Sequence, residues 1–261
     1  MAAPSANVSN PTGDGAGGGV GAGRTHRIVA TACYVILAVA CLCLTLTGCT
    51  VSTTGRPVAA ADLGRWQPPP IPNPRLGDLL LSAGDVNAVG QTMTMALRTP
   101  ISEMSHSEGL VDDRNCLDAY SPIEAAVYQG SNWVAVQGQL LDNARSPVDQ
   151  SKHALLQAVV GFRDADSARQ FFGQAKPRWS ACNNRPLTVT QPGDDPATWA
   201  LGDLVATDTT LTIRQTRDRG DGFACQRAMG VRNNVIIDTM WCGFDTANQA
   251  GEVVAKIAAA A

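Results

Sequence analysis

The chain has 261 residues, 44% of them hydrophobic and only 16% charged, with a formal net charge of −3. No basic stripe stands out to neutralise phosphates, which argues against a nucleic-acid binder, and no polybasic run marks a membrane-surface patch. The length left after the N-terminal segments suits one domain with its own core better than two.

In chain order, residues 1–23 are rich in Gly, Ala, Ser and Asn and carry too little apolar surface to offset the entropy of ordering them. Gly13, Gly15 and Gly18 satisfy G-x-G-x-x-G, but neither a strand before them nor a helix after them is expected, so the match is discarded as a dinucleotide site. Arg24, His26 and Arg27 then precede an uncharged, almost continuously apolar run from Ile28 to Leu46, the basic-then-apolar order of a secretory signal. It ends in Leu46-Thr47-Gly48-Cys49, which resembles the bacterial lipobox. That resemblance implies a diacylglycerol on the Cys49 sulfur, cleavage just before it, and an anchor of two acyl chains where one alone would bind weakly. The competing expectation is that residues 28–48 persist as a signal-anchor helix, because about 20 apolar residues suffice to span a bilayer. Both readings place the remainder at the membrane, outside the cytoplasm. The leader is long for a signal peptide, which leaves room for a start codon downstream of Met1.

Residues 1–48 are thus read as leader and signal peptide, and residues 49–75 as a tether. Thr/Ser residues follow Cys49, and Pro68-Pro69-Pro70-Ile71-Pro72-Asn73-Pro74 favours an extended, semi-rigid spacer. The folded domain is expected over residues 76–261. Ser82 with Asp85 predicts a capped helix through Val89, and Thr92 to Leu97 alternates like a strand. Ser121-Pro122-Ile123-Glu124 has the residue types of a helix start, leading into Ala125, Ala126 and Val127. Strands are predicted from Trp133 to Leu141 and from Ala154 to Phe162. Asp164 caps a helix towards Trp179, with Ala168, Phe171, Phe172 and Ala175 on its core face.

Pro186 to Pro196 reads as a loop, and Leu204 to Arg217 as one strand with Leu211 and Ile213 on the inner side. Two further strands, from Phe223 to Val231 and from Val235 to Trp241, meet around Arg232-Asn233-Asn234, where Asn tolerates the left-handed backbone of a tight turn. Asn248 to Ala260 is a closing helix with an apolar stripe of Ala250, Val253, Val254 and Ile257. This order indicates an α+β fold, a central antiparallel sheet with helices packed on it.

Of eight cysteines, Cys33, Cys41 and Cys43 leave with the signal peptide and Cys49 goes to lipid. Cys116, Cys182, Cys225 and Cys242 remain, an even number in an exported chain and without C-x-x-C zinc spacing, so two disulfides are expected. Of the three connectivities we favour Cys116–Cys182 and Cys225–Cys242, the second because both residues flank the predicted hairpin.

Several stretches then converge. Asp85-Val86-Asn87, Cys116-Leu117 with Tyr120-Ser121-Pro122, Ala126-Val127-Tyr128-x-Gly130-Ser131-x-Trp133, Gln157-Ala158-Val159-Val160-x-Phe162, Trp179-x-x-Cys182 and Val231-Arg232-Asn233-Asn234-Val235 together resemble the PknH-type extracellular sensor domain. That family forms the exterior of some mycobacterial Ser/Thr receptor kinases and also occurs alone in mycobacterial lipoproteins. The resemblance implies a mixed fold with an antiparallel sheet, two internal disulfides and a large cleft for an unidentified ligand. The kinase half has no counterpart: no Gly-rich phosphate loop with its lysine, no His-Arg-Asp and no Asp-Phe-Gly motif is found.

An enzyme is not expected, nor a cofactor or a metal site. His106 and His153 lack a partner pattern, no G-x-S-x-G elbow is present, and Asp112-Asp113 and Asp194-Asp195 read as solvated loop acids. Ligand contacts are sought at Tyr128, Trp133, Arg232, Asn233 and Asn234, whose amphipathic rings, amides and guanidinium suit a polar cell-envelope molecule. Each also has a plain structural reading, as core residue or hairpin turn. Two functions follow: a cell-surface lipoprotein that binds a small molecule or envelope component in a cleft, or a protein-interaction module, for example an accessory to a receptor kinase.

Overall fold

A computed structural model describes residues 68–144 and 152–261. The apolar run, Cys49 and most of the tether lie outside the described residues. Among the described residues, no helix is long and apolar enough to cross a membrane.

A short 3-10 segment, Asn73–Leu79, opens the fold and buries Leu76 and Leu79. Helix α1, Ala83–Gly90, follows the expected box: Asp85 N donates to the Ser82 hydroxyl and the Asp85 carboxylate accepts from Ser82 N. Strand β1 is Ala96–Ile101, displaced towards the C-terminus from the predicted run. The cause is Asn87, whose side chain accepts from Met95 N and Thr92 Oγ1 and donates to the Met95 carbonyl, holding residues 92–95 against α1. Two single-turn helices come next, α2 (Leu117–Tyr120) and α3 (Ala125–Tyr128).

The helix start expected at Ser121 is not formed there. Ile123 takes a left-handed φ of 50°, and its N–H donates to the Asp238 carboxylate at 2.8 Å. A tertiary partner thus overrides the local capping pattern.

Strands β2 (Trp133–Asp142) and β3 (His153–Phe162) match their predicted places, as does α4, Ala165–Ala181, capped by Asp164 accepting from Ser167 N at 2.7 Å. The predicted Pro186 loop begins instead with an edge strand, β4 (Pro186–Val189), where proline's missing N–H can face outward. The single strand foreseen from Leu204 to Arg217 is two, β5 (Ala197–Ala206) and β6 (Thr210–Arg217), joined by a turn in which Thr207 Oγ1 accepts from Thr209 N and Thr210 N. The hairpin β7 (Ala224–Arg232) and β8 (Val235–Gly243) turns at Asn233, with φ 50°. Helix α5, Gln249–Ala260, closes the chain.

The eight strands form one antiparallel sheet in the order β1-β2-β3-β8-β7-β6-β5-β4. Helices cover both faces, so inner strands are apolar on both sides. Along β3, Leu155 and Val159 meet Leu76, Val86 and Val253, while Ala158, Val160 and Phe162 meet Tyr128, Phe171 and Trp179. The α5 face is fitted closely: a Cβ on Gly230 would overlap the Val254 side chain. Gln226 reaches from the sheet to accept from Ala250 N and Gly251 N at the start of α5, partners that the first turn of a helix needs from elsewhere.

Both favoured disulfides are present. Cys116–Cys182 ties the start of α2 to the end of α4, and Cys225–Cys242 joins directly paired residues of β7 and β8. The fold is α+β, as the order of elements implied.

Candidate functional site

The residues singled out from the sequence fall into two settings. Tyr128, Asn234 and most of Trp133 belong to packing, whereas Arg232 and Asn233 face an open cavity.

Tyr128 is fully buried, stacked on Phe171 at 4.4 Å, and its hydroxyl donates to Asp238 at 2.9 Å. Asp238 is also fully buried and ion-pairs with Arg227, itself buried, with its guanidinium 5.0 Å from the Trp179 ring. Arg227 Nη1 donates further to the carbonyls of Ala228 and Thr239. Burial pushes the Asp238 carboxyl up, against the pull of Arg227 and the Ile123 N–H. Burial, with the Asp238 charge added, pushes the Tyr128 phenol well above its ordinary value. This cluster joins α3, α4, β7 and β8, and no ligand can reach it without opening the core.

Trp133 is half-buried at the start of β2, opposite Phe162, and packs on the same core. Asn234 is a clasp: its amide donates to the carbonyls of Phe162 (2.8 Å) and Ile71 (3.1 Å) and accepts from Ile71 N (2.7 Å). Asn233 Nδ2 donates to the Pro69 carbonyl at 3.0 Å. The chain is therefore already held to the β7–β8 turn at Pro69.

Arg232 and Asn233 line a cavity of about 720 Å³ at the end of the sheet, within the size range of small-molecule sites. One wall is α4, presenting Arg169, Phe172, Gly173 and Lys176, which at spacings of three and four share one helix face. The opposite wall is α5, through Ala255, Ala258 and Ala259. Val231 lies beneath, and the turn at 207–209 closes one side with Asp208. Arg169 is engaged by Asp166 at the surface. Among the described residues Lys176 and Arg232 form no ion pair. Among the described residues, buried Asn233 Oδ1 has no hydrogen-bond partner.

A second cavity, about 740 Å³, lies between α2, α3 and the end of α4 and contains Arg114, Arg178 and Arg185. Its charges are largely committed: Arg178 grips buried Asp118 at 2.7 Å and Arg185 meets Asp113 at 3.1 Å. Of the paired acids of the sequence, Asp112 and Asp113 have local duties too, while Asp194 and Asp195 line a separate small cavity beside Tyr120 and Trp199. Asp112 accepts from Thr188 N and Asp113 from Asn115 N. His153 is paired with Asp245 at 2.6 Å, and no group of metal-ligating side chains occurs among the described residues.

Sequence reasoning missed Arg169, Gly173 and Lys176. Their helical spacing is readable, but the same helix also carries the apolar core face, and nothing local says that α5 stands opposite.

The family described as PknH-like extracellular domain matches residues 71–260. The chain is 36% identical over 192 residues to the serine/threonine-protein kinase PknH of Mycobacterium bovis, covering 73% of this chain and 32% of that protein. PknH of Mycobacterium tuberculosis matches at the same identity, with 30% of its length covered. The chain thus spans about a third of these kinases, in their extracellular part, and no catalytic domain is evident in it. The crystal structure of the extracellular domain of PknH from Mycobacterium tuberculosis superposes with a TM-score of 0.69 at 34% identity, covering 74% of this chain and 97% of that one.

Proposed function

We propose that this chain, which belongs to the family of PknH-like extracellular domains, uses its sensor-type domain to bind a small molecule or cell-envelope component while tethered to the outer face of the membrane. The observation that carries the reading is the cavity of about 720 Å³ at the β7–β8 turn, where Lys176 and Arg232 form no ion pair among the described residues and are free to meet a ligand. Binding would act through capture of the ligand or through another membrane protein.

The tether reading rests on Cys49 at the end of the lipobox-like sequence. Cys49→Ala should abolish the diacylglyceryl mass increment and release the protein from membranes. Unchanged mass and retention would favour a signal-anchor helix over residues 28–48. For the ligand, native mass spectrometry of the domain purified from its own kind of cell envelope should show a retained small molecule. A clean apo mass, together with crosslinks to an envelope protein, would favour the interaction-module reading.

A further inference from the structure

We infer that the cavity between α4 and α5 takes an organic anion, a phosphate or carboxylate head with an apolar group directly beside it; this rests on the cavity being the ligand site. The charge on its rim is the first reason. The chain as a whole is net negative at −3, yet three cations, Arg169, Lys176 and Arg232, lie on this lining against one acid, Asp208; Arg169 is held by Asp166, and Lys176 and Arg232 form no ion pair among the described residues. They approach from two elements, α4 and the β7–β8 turn, as groups converging on one head would. Charge-assisted hydrogen bonds from Arg and Lys to phosphate or carboxylate oxygens are among the strongest available.

The second reason is space. Gly173 sits in the interior of α4, where glycine weakens a helix relative to alanine. No protein atom requires it, because a Cβ at that position would have nothing within 4 Å. The opening it keeps lies between Arg169 and Lys176 and faces alanines on α5, so the small residues of two helices bound one empty volume. The apolar neighbour of the head would lie on Phe172 and Val231, both of which line the cavity from the edge of the core.

The test uses the full chain in phosphatidylcholine nanodiscs, titrated by calorimetry with phenyl phosphate, inorganic phosphate and the uncharged phenyl glucoside. Phenyl phosphate should bind best, and Lys176→Gln and Arg232→Gln should each weaken it on the order of tenfold. Gly173→Leu should abolish binding while the melting temperature holds or rises, and Arg75→Gln, a cation outside the cavity, should change nothing. Flotation with phosphatidylglycerol vesicles separates sources: binding that depends on Lys176 and Gly173 assigns the head to a lipid, and its absence beside phenyl phosphate binding assigns it to a solute. If phenyl glucoside binds as tightly and Gly173→Leu removes it, the cavity is the site and the anion class is wrong. If phenyl phosphate does not bind, or binds undiminished in Gly173→Leu, the inference is overturned.

Discussion

Arg227 and Arg232 lie five residues apart on the same hairpin and lead opposite lives. Arg227 is fully buried, paired with Asp238, donating to two carbonyls and stacked on Trp179. Arg232 is exposed at a cavity mouth and forms no ion pair among the described residues. A charge in the core must be neutralised by the fold itself, because desolvation costs several kcal/mol per ion. At the rim, water already solvates the charge, and it remains available. Residue type alone therefore does not distinguish a positional role from a binding role; the number of partners does.

The contrast can be broken most forcefully at the buried end. Arg227→Met leaves the Asp238 charge without its main partner and should cost about 3–5 kcal/mol, read from the urea midpoint at constant m-value. An unchanged midpoint would mean that the pair contributes nothing net. Next in size, Asn234→Ala orphans the Phe162 carbonyl and the Ile71 amide, both held by the same side chain. A loss of about 1–3 kcal/mol is expected, with faster amide exchange at Ile71 as the local signature.

At the cavity the signs differ. Gly173→Ala should stabilise the apo protein by up to about 1 kcal/mol through helix propensity alone, and Arg232→Gln should stay within about 0.5 kcal/mol of the parent. A large loss from Arg232→Gln would show that it belongs with Arg227 after all. The smallest effect concerns the cap of α4, the helix that serves both regions. The Ser167 N–H lowers the Asp164 carboxyl below its ordinary 3.8, so the cap's contribution is fully present above that value and is lost as pH falls through the lower folded value. The protection of the Ser167 amide, its exchange rate referred to the intrinsic rate at each pH, should therefore fall below pH 3.8 and hold above it.

Much of the fold was legible where local and global preferences agree. The Ser82–Asp85 box, the Asp164 cap, the stripe of α5 and the Asn233 turn each form where their chemistry indicates. Misreadings arose where a distant partner decided. Asp238, 115 residues away, claims the Ile123 N–H and prevents a helix start at Ser121. The β5–β6 turn carries no Gly, Pro or Asn, and its one turn-forming residue, Asp208, sits between two β-favouring threonines, so the apolar–polar alternation ran through it. The candidate site was half legible: Arg232 and Asn233 stand out beside a turn, while Gly173 and Lys176 gain meaning only once α5, about eighty residues later, is packed opposite.

The clasp at Asn233 and Asn234 also fixes how the domain would bear load. Residues 69 and 71 are hydrogen-bonded to the two side chains at the tip of the β7–β8 hairpin. A pull on the chain from its N-terminal side enters the fold there, at a point shared with the cavity wall, before it reaches any core strand. On the tether and cavity readings proposed above, anchorage and pocket would meet on one hairpin tip, and tension along the leash would be felt where a guest would sit.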